Sequence, residues 1–138
     1  MINSRSLNDL LPVVKAKAEA FVAACKKQGI DVLIYSTYRD NESQSAIYAQ
    51  GRTKPGKIVT KAQAGMSYHN WRCAFDFVPL LNGVPQWNDS TLYSKCGRAA
   101  VACGLDWGGA WKSFPDKPHC QYTGGLKIAD LKAGRTIV

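Results

Sequence analysis

The chain holds two histidines, His69 and His119, and each has a carboxylate at a spacing that suits one shared metal ion. His69 is followed by Asp76, with six residues between them, and His119 closes the run Asp116-Lys117-Pro118-His119. Two imidazoles and one carboxylate make a three-ligand site for zinc that leaves a fourth position open to water. A further carboxylate outside that set, here Asp116, can take a proton from the water. Other divalent metals also accept such ligands, so zinc is preferred on donor type alone. Taken one at a time, the same residues have plainer readings. Asp76 reads as a solvated strand residue, Asp116 as a turn residue ahead of Pro118, and Arg39 as a surface partner of Asp40 or Glu42.

The elements that must position these groups are legible from periodicity. Pro12 suits the first turn of a helix and Gly29 its stop, with Val14, Ala18, Phe21, Val22 and Cys25 recurring at spacings of three and four between them. Asp31-Val-Leu-Ile-Tyr35-Ser is short, apolar and β-branched, which predicts a buried strand. Asp40 is placed to cap a second helix that Gly51 ends. A Gly- and Lys-rich loop runs from about Gly51 to Met66. Ala74-Phe75-Asp76-Phe77-Val78 alternates as a strand, with the phenylalanines on one face and Asp76 on the other. His69 and Asp76 differ in strand parity, so a turn or bulge near Asn70-Trp71-Arg72 is required before both can face one ion. Leu81-Asn82-Gly83-Val84 predicts a turn. Asn88 or Asp89 caps a third helix with Leu92, Cys96, Ala99, Ala100 and Cys103 inside and Gly104 as its stop. Leu105-Asp106-Trp107 and His119-Cys120-Gln121-Tyr122 predict short strands. Helices and short strands mix without a βαβ rhythm, which predicts one small α+β domain over residues 1–138, with a largely antiparallel sheet flanked by helices.

Composition narrows the function classes. The 138 residues are 46% hydrophobic and 20% charged, ordinary values for a globular domain with a real core. No apolar run approaches the roughly 20 residues needed to cross a bilayer. The N-terminal residues lack a charged-then-apolar leader pattern, so the expectation is a chain made in the cytoplasm that reaches any outside target by release. The net charge of +8 implies an anionic partner, either nucleic acid or a bacterial envelope with its phosphate and carboxylate polymers. The densest basic stretch, Arg52 to Lys61, has four cations and no acid, but it lacks the interleaved aromatics of a single-strand binder. Five cysteines without a Cys-x-x-Cys pair argue against a zinc finger and against a complete disulfide framework. Cys120, beside His119, is expected to point to the opposite strand face and pack.

Four pieces of the chain, in order, resemble one family. Ser67-Tyr-His69-(six residues)-Asp76 is similar to the Ser-x-His-(x)6-Asp signature of the zinc D-alanyl-D-alanine carboxypeptidases and L-alanyl-D-glutamate peptidases. Trp107-Gly-Gly-Ala-Trp111 followed by Asp116-Lys-Pro-His119 resembles that family's second half. Ser36-Thr-Tyr-Arg39 with Gln44 resembles its Tyr-Arg and Gln elements, and Tyr48 to Lys57 resembles the same region of phage endolysins. The resemblance implies the small α+β fold shared with the hedgehog signalling domain, with His69, Asp76 and His119 as zinc ligands and Asp116 as the catalytic carboxylate. It places Arg39 over the substrate, with Ser67 and Gln44 as further candidates for substrate contact; Trp111, read from the residues alone, is a packing residue or a wall of the cleft. Relatives usually carry Gly at the position of Arg72 and often an acid at Ala110.

The expected function is therefore a zinc peptidase acting on the peptidoglycan stem peptide at the bacterial wall. The L-Ala–D-Glu bond is favoured, in a monomer without nucleic-acid partners that is released through a membrane lesion. A D-alanyl-D-alanine carboxypeptidase or dipeptidase is the alternative within the class. A hedgehog-like module that keeps zinc without turnover, and a basic nucleic-acid binder, are the alternatives outside it.

Overall fold

The protein is described here by a computed structural model covering residues 1–138. Four helices flank one antiparallel sheet: α1 Pro12–Lys27, α2 Asn41–Ala49, α3 Ser90–Ala102 and α4 Ile128–Lys132, with β1 Asp31–Ser36, β2 Ala74–Leu81, β3 Val84–Pro85, β4 Asp106–Trp107 and β5 His119–Gln121. The strand order is β1-β2-β5-β4, and β3 pairs with the end of β2. The α+β expectation holds, and β2 is the spine on which the other strands assemble.

Local chemistry explains most boundaries. Pro12 opens α1, Lys26 and Lys27 face the negative end of its dipole, and Gly29 leaves it at φ +77°. The Asp40 carboxylate accepts from the Ser43 N–H at the start of α2, and that of Asp89 accepts from the Leu92 N–H at the start of α3. Asn82 and Gly83 both take positive φ, 51° and 78°, the two-residue turn that suits the right-handed twist of the β2–β3 hairpin.

The core lies between α1, α3 and one face of the sheet. Val14, Ala18, Phe21 and Cys25 meet Phe75, Phe77 and Cys120, all fully buried. Phe21 contacts the rings of Phe75 and Phe77 at 5.6 and 5.0 Å between centroids. Each such ring contributes about 1.5–3 kcal/mol through burial, which fixes β2 firmly enough to carry a polar group on its other face.

The structure refines the inner face of α3 and adds a fourth helix. The buried face of α3 is Tyr93, Cys96, Gly97, Ala99 and Ala100, with Leu92 and Cys103 only partly covered. Gly97 belongs to this face: a Cβ there would fall 2.2 Å from the Trp107 indole, so the helix turns its bare backbone to that ring. The segment after Thr123 contains α4, which its short, mixed pattern does not announce. Leu126, Leu131 and Ile137 join the core from this segment, so it covers an apolar face and pairs with no strand.

Candidate active site

Asp76 and His119 are brought together by strand register. Asp76 of β2 lies directly opposite His119 of β5, and directly paired residues project from the same face. One step along, Phe75 pairs with Cys120 and both point into the core, as strand alternation requires. Cys120 is therefore a packing residue. The Phe77 N–H donates to the Pro118 carbonyl at 2.9 Å and extends the pairing toward Asp116.

His69 reaches the same point from a tight turn. Tyr68–Trp71 forms a single 3-10 turn that Ser67 caps, its hydroxyl accepting from the His69 N–H, while the Asn70 side chain accepts from the Ser67 N–H. Arg72 ends the turn in the left-handed region at φ 61°. This is the turn that strand parity demands. An L-residue there costs about 1–2 kcal/mol, offset by the guanidinium stacking 3.8 Å from the Tyr38 ring centre and donating to the Asp9 carbonyl.

The result is one convergent donor set. Asp76 Oδ1 lies 3.3 Å from His69 Nε2 and 3.4 Å from His119 Nδ1. The other nitrogen of each ring is already engaged. His69 Nδ1 lies 2.8 Å from the Thr37 carbonyl and His119 Nε2 lies 2.7 Å from Gln121 Oε1. The Thr37 carbonyl accepts, so His69 Nδ1 carries a proton, and His119 Nε2 does the same toward the Gln121 amide oxygen turned to it. With the rings neutral, the nitrogens facing Asp76 present lone pairs, and a metal ion, or protons on the imidazoles, bridges the three atoms. The three groups have the chemistry and spacing to hold one metal ion.

The charges agree. Burial alone would raise the Asp76 carboxyl, but the two imidazoles beside it overcome that and hold it well below the usual carboxylate range. Burial opposes protonation of His119, and the Asp76 carboxylate outweighs it and lifts its pKa. Arg39 is pulled down by burial and pushed back by the Asp76 charge. Its Nη2 is 3.9 Å from Asp76 Oδ2, so the carboxylate answers cations on both sides.

Asp116 enters on the loop after Trp111 and lines the same cleft of about 450 Å³ as His69, Asp76, His119, Tyr35 and Trp111. The residue is exposed toward solvent, yet crowding of its carboxyl in the cleft raises its pKa, helped by the Asp76 charge and opposed by the imidazoles. Its placement depends on Gly108. The Asp116 N–H donates to the Gly108 carbonyl at 2.9 Å, and a Cβ on Gly108 would meet the Asp116 carbonyl oxygen at 2.3 Å. Gly108→Ala is thus expected to push the Asp116 backbone outward, lowering kcat by about 10²-fold with metal content retained. Steady-state kinetics beside metal analysis of the same preparation checks this.

Comparison with known proteins fits this geometry. The sequence pattern of the D-alanyl-D-alanine carboxypeptidase family matches residues 60–122. The peptidoglycan L-alanyl-D-glutamate endopeptidase CwlK of Bacillus subtilis is 40% identical over 123 residues, covering 83% of this chain and 74% of CwlK. The chain belongs to this peptidase family. An L-alanyl-D-glutamate peptidase of a Listeria phage is 35% identical over 124 residues, 86% of this chain but 41% of the phage protein. The L-Ala D-Glu endopeptidase ChiX of Serratia marcescens has the same fold, with a TM-score of 0.68 at 23% identity over 89% of this chain and 90% of ChiX.

Within this peptidase fold the expected residues divide. His69, Asp76, His119, Asp116, Arg39, Ser67 and Trp111 all line one cleft, with the Trp111 and His119 ring centres 5.3 Å apart. Gln44 does not. It is fully buried, accepts from Arg39 Nη1 at 2.9 Å and donates to the Ala62 carbonyl at 2.7 Å, so it positions Arg39 and the 51–66 loop and has no surface for a substrate. Arg39 is 9% exposed, with Nη1 on Gln44, Nη2 on Ser36 and Nε buried without a partner. It sits against Asp76 more than over the cleft. The Ser67 hydroxyl accepts in the turn and keeps its own O–H for a further partner. Three contributors fall outside the motif reading: the Thr37 carbonyl, Gln121 and Tyr35. The two-residue period of a strand puts Gln121 on the face of His119, and that is the signal that finds it. Tyr35 lines the cleft, and burial with the nearby Asp76 charge keeps its phenol neutral and able to donate.

Proposed function

We propose that this chain is a zinc-dependent endopeptidase that cuts the L-alanyl–D-glutamate bond of the peptidoglycan stem peptide, acting at the bacterial wall. The observation that carries the reading is the donor set. His69 Nε2 and His119 Nδ1 converge on Asp76 Oδ1, the far nitrogen of each ring is hydrogen-bonded within the protein, and Asp116 lines the same cleft. His69 Nε2, Asp76 Oδ1 and His119 Nδ1 would hold the ion, and His/His/carboxylate is a donor set of catalytic zinc. When bound, zinc supplies Lewis acidity toward a water and the scissile carbonyl.

The chain's own residues do the rest. Asp116, its pKa raised, accepts the proton of the attacking water on a carboxylate oxygen and returns it to the leaving amine. Arg39 acts through its charge, 3.9 Å from Asp76, making the cleft floor positive for a stem peptide that carries carboxylates. The neutral Tyr35 phenol and the Trp111 ring shape the walls and orient the peptide. The relatives named for L-alanyl-D-glutamate cleavage favour that bond over the terminal D-Ala–D-Ala bond.

Digestion of purified peptidoglycan followed by product masses tests the reading. New N-terminal D-Glu is expected, lost on chelation and restored by zinc. Release of terminal D-Ala alone would assign the chain to carboxypeptidase action. No helix is long and apolar enough to cross a membrane.

A further inference from the structure

Beside the catalytic cleft lies a second, shallower depression that the chemistry above does not use. Residues Pro85 to Ser90, between β3 and α3, form an open saucer of about 590 Å³ in which Trp87 is the main apolar surface. Trp87 is 52% exposed. Single exposed apolar side chains are ordinary, and Val84 and Phe114 are more exposed than Trp87; what distinguishes Trp87 is its setting.

The saucer is preformed. The Gln86 N–H donates to the Pro79 carbonyl at 2.9 Å, its side-chain amide donates to Val84, and Asp89 is held as the cap of α3. Trp87 is backed edge-on by Tyr35, with ring centres 5.2 Å apart and planes at 71°. Tyr35 is itself a wall of the catalytic cleft. On the other rim Lys117 Nζ donates to Ser90 Oγ at 2.6 Å, and Lys117 is the neighbour of Asp116. The saucer thus meets the cleft through Tyr35.

An exposed aromatic face rimmed by amides and hydroxyls suits a sugar ring, whose C–H face stacks on the indole while its hydroxyl and acetamido groups find polar partners. A shallow, polar rim lacks the enclosed apolar pocket that a protein anchor needs. Substrate geometry selects the same occupant. In the L-Ala–D-Glu bond only L-Ala and the lactyl ether separate the reacting carbon from the muramyl sugar. Each extended unit spans about 3.3–3.6 Å, the two together roughly 7 Å, so the sugar of the substrate lies about one large side chain's length from the reacting carbon.

Resting on the endopeptidase reading, we propose that Trp87, with Asn88 and Ser90 at its rim, is a saccharide subsite that takes the N-acetylated amino sugar carrying the stem peptide. The test is the ratio of kcat/KM on a muramyl-peptide to that on the same peptide without sugar. Trp87→Ala is expected to lower that ratio about tenfold, chiefly through KM, and Trp87→Tyr, which keeps a face to stack on, to restore most of it. A ratio equal to the parent's would overturn the subsite, and so would a ratio that Tyr fails to restore. Retention on peptide-free glycan strands, measured with the inactive Asp116→Ala background, needs no cleavage. It separates the two ideas: glycan retention lost with Trp87→Ala supports the subsite even if product masses place the cut elsewhere, and retention unaffected by Trp87→Ala removes it.

Discussion

Asp116→Ala is expected to cut peptidoglycan hydrolysis by about 10²–10⁴-fold while leaving metal content at the parent's level. The side chain binds none of the three donors. What Asp116 gives the scaffold is backbone: its carbonyl accepts from the His119 N–H at 3.1 Å and its N–H donates to Gly108, and both survive truncation at Cβ. Metal analysis and turbidity loss of permeabilised cells, measured on one preparation, separate the two effects. Full lysis by the variant would remove the proposed base, and loss of metal would make Asp116 part of the ligand set. The pKa has a stability consequence of definite sign. A carboxyl whose folded pKa is raised binds its proton more tightly in the fold, so its contribution is favourable below the unfolded carboxylate pKa and is lost as pH rises through the folded value. At neutral pH the charge costs stability. Metal-free Asp116→Asn should therefore melt no lower than the metal-free parent at pH 7, and the difference should shrink in acid.

Asp76→Ala should have the opposite profile, losing both the metal and the fold's margin. Its carboxylate is the shared neighbour of His69, His119 and Arg39. Truncation removes one donor and leaves a guanidinium with 11% side-chain exposure facing two imidazoles without its counter-charge. Stranding one partner of a buried pair costs about 3 kcal/mol, which for a chain of this size lowers Tm by roughly 10 °C. Metal retained after dialysis should fall to background and hydrolysis with it. Calorimetry on metal-free proteins isolates the charge effect, because the parent then lacks the ion as well. An unchanged melting temperature would mean that Arg39 is answered by Gln44 and Ser36 alone.

Much of this site is legible before any coordinates, because its signals are local. A cap three residues ahead of its donor, a glycine at a helix stop, alternation around Asp76 and the parity conflict that forces a turn at Arg72 all act within a few residues. The pairing of Asp76 with His119 is different. Register between strands more than forty residues apart is set by packing of Phe75 and Cys120 on the far face, which no window of sequence contains. The same holds for Gln44, whose buried amide links Arg39 to Ala62, and for Gly108, whose lost side chain matters only because Asp116 returns to it. The short helix α4 escapes because five residues carry too little periodicity to stand out.

The long segment between Gly51 and Met66 has a further implication. It supplies Val59 and Thr60 to the rim of the cleft but contributes none of the groups around Asp76. It is tethered mainly through side chains, Gln44 to Ala62, Gln50 to Lys57 and Trp71 to Gly65. Rim and catalytic floor are thereby separable inheritances. Insertions or exchanges in that ribbon can retune which wall chemistry is admitted while the ion-gripping frame is handed down intact.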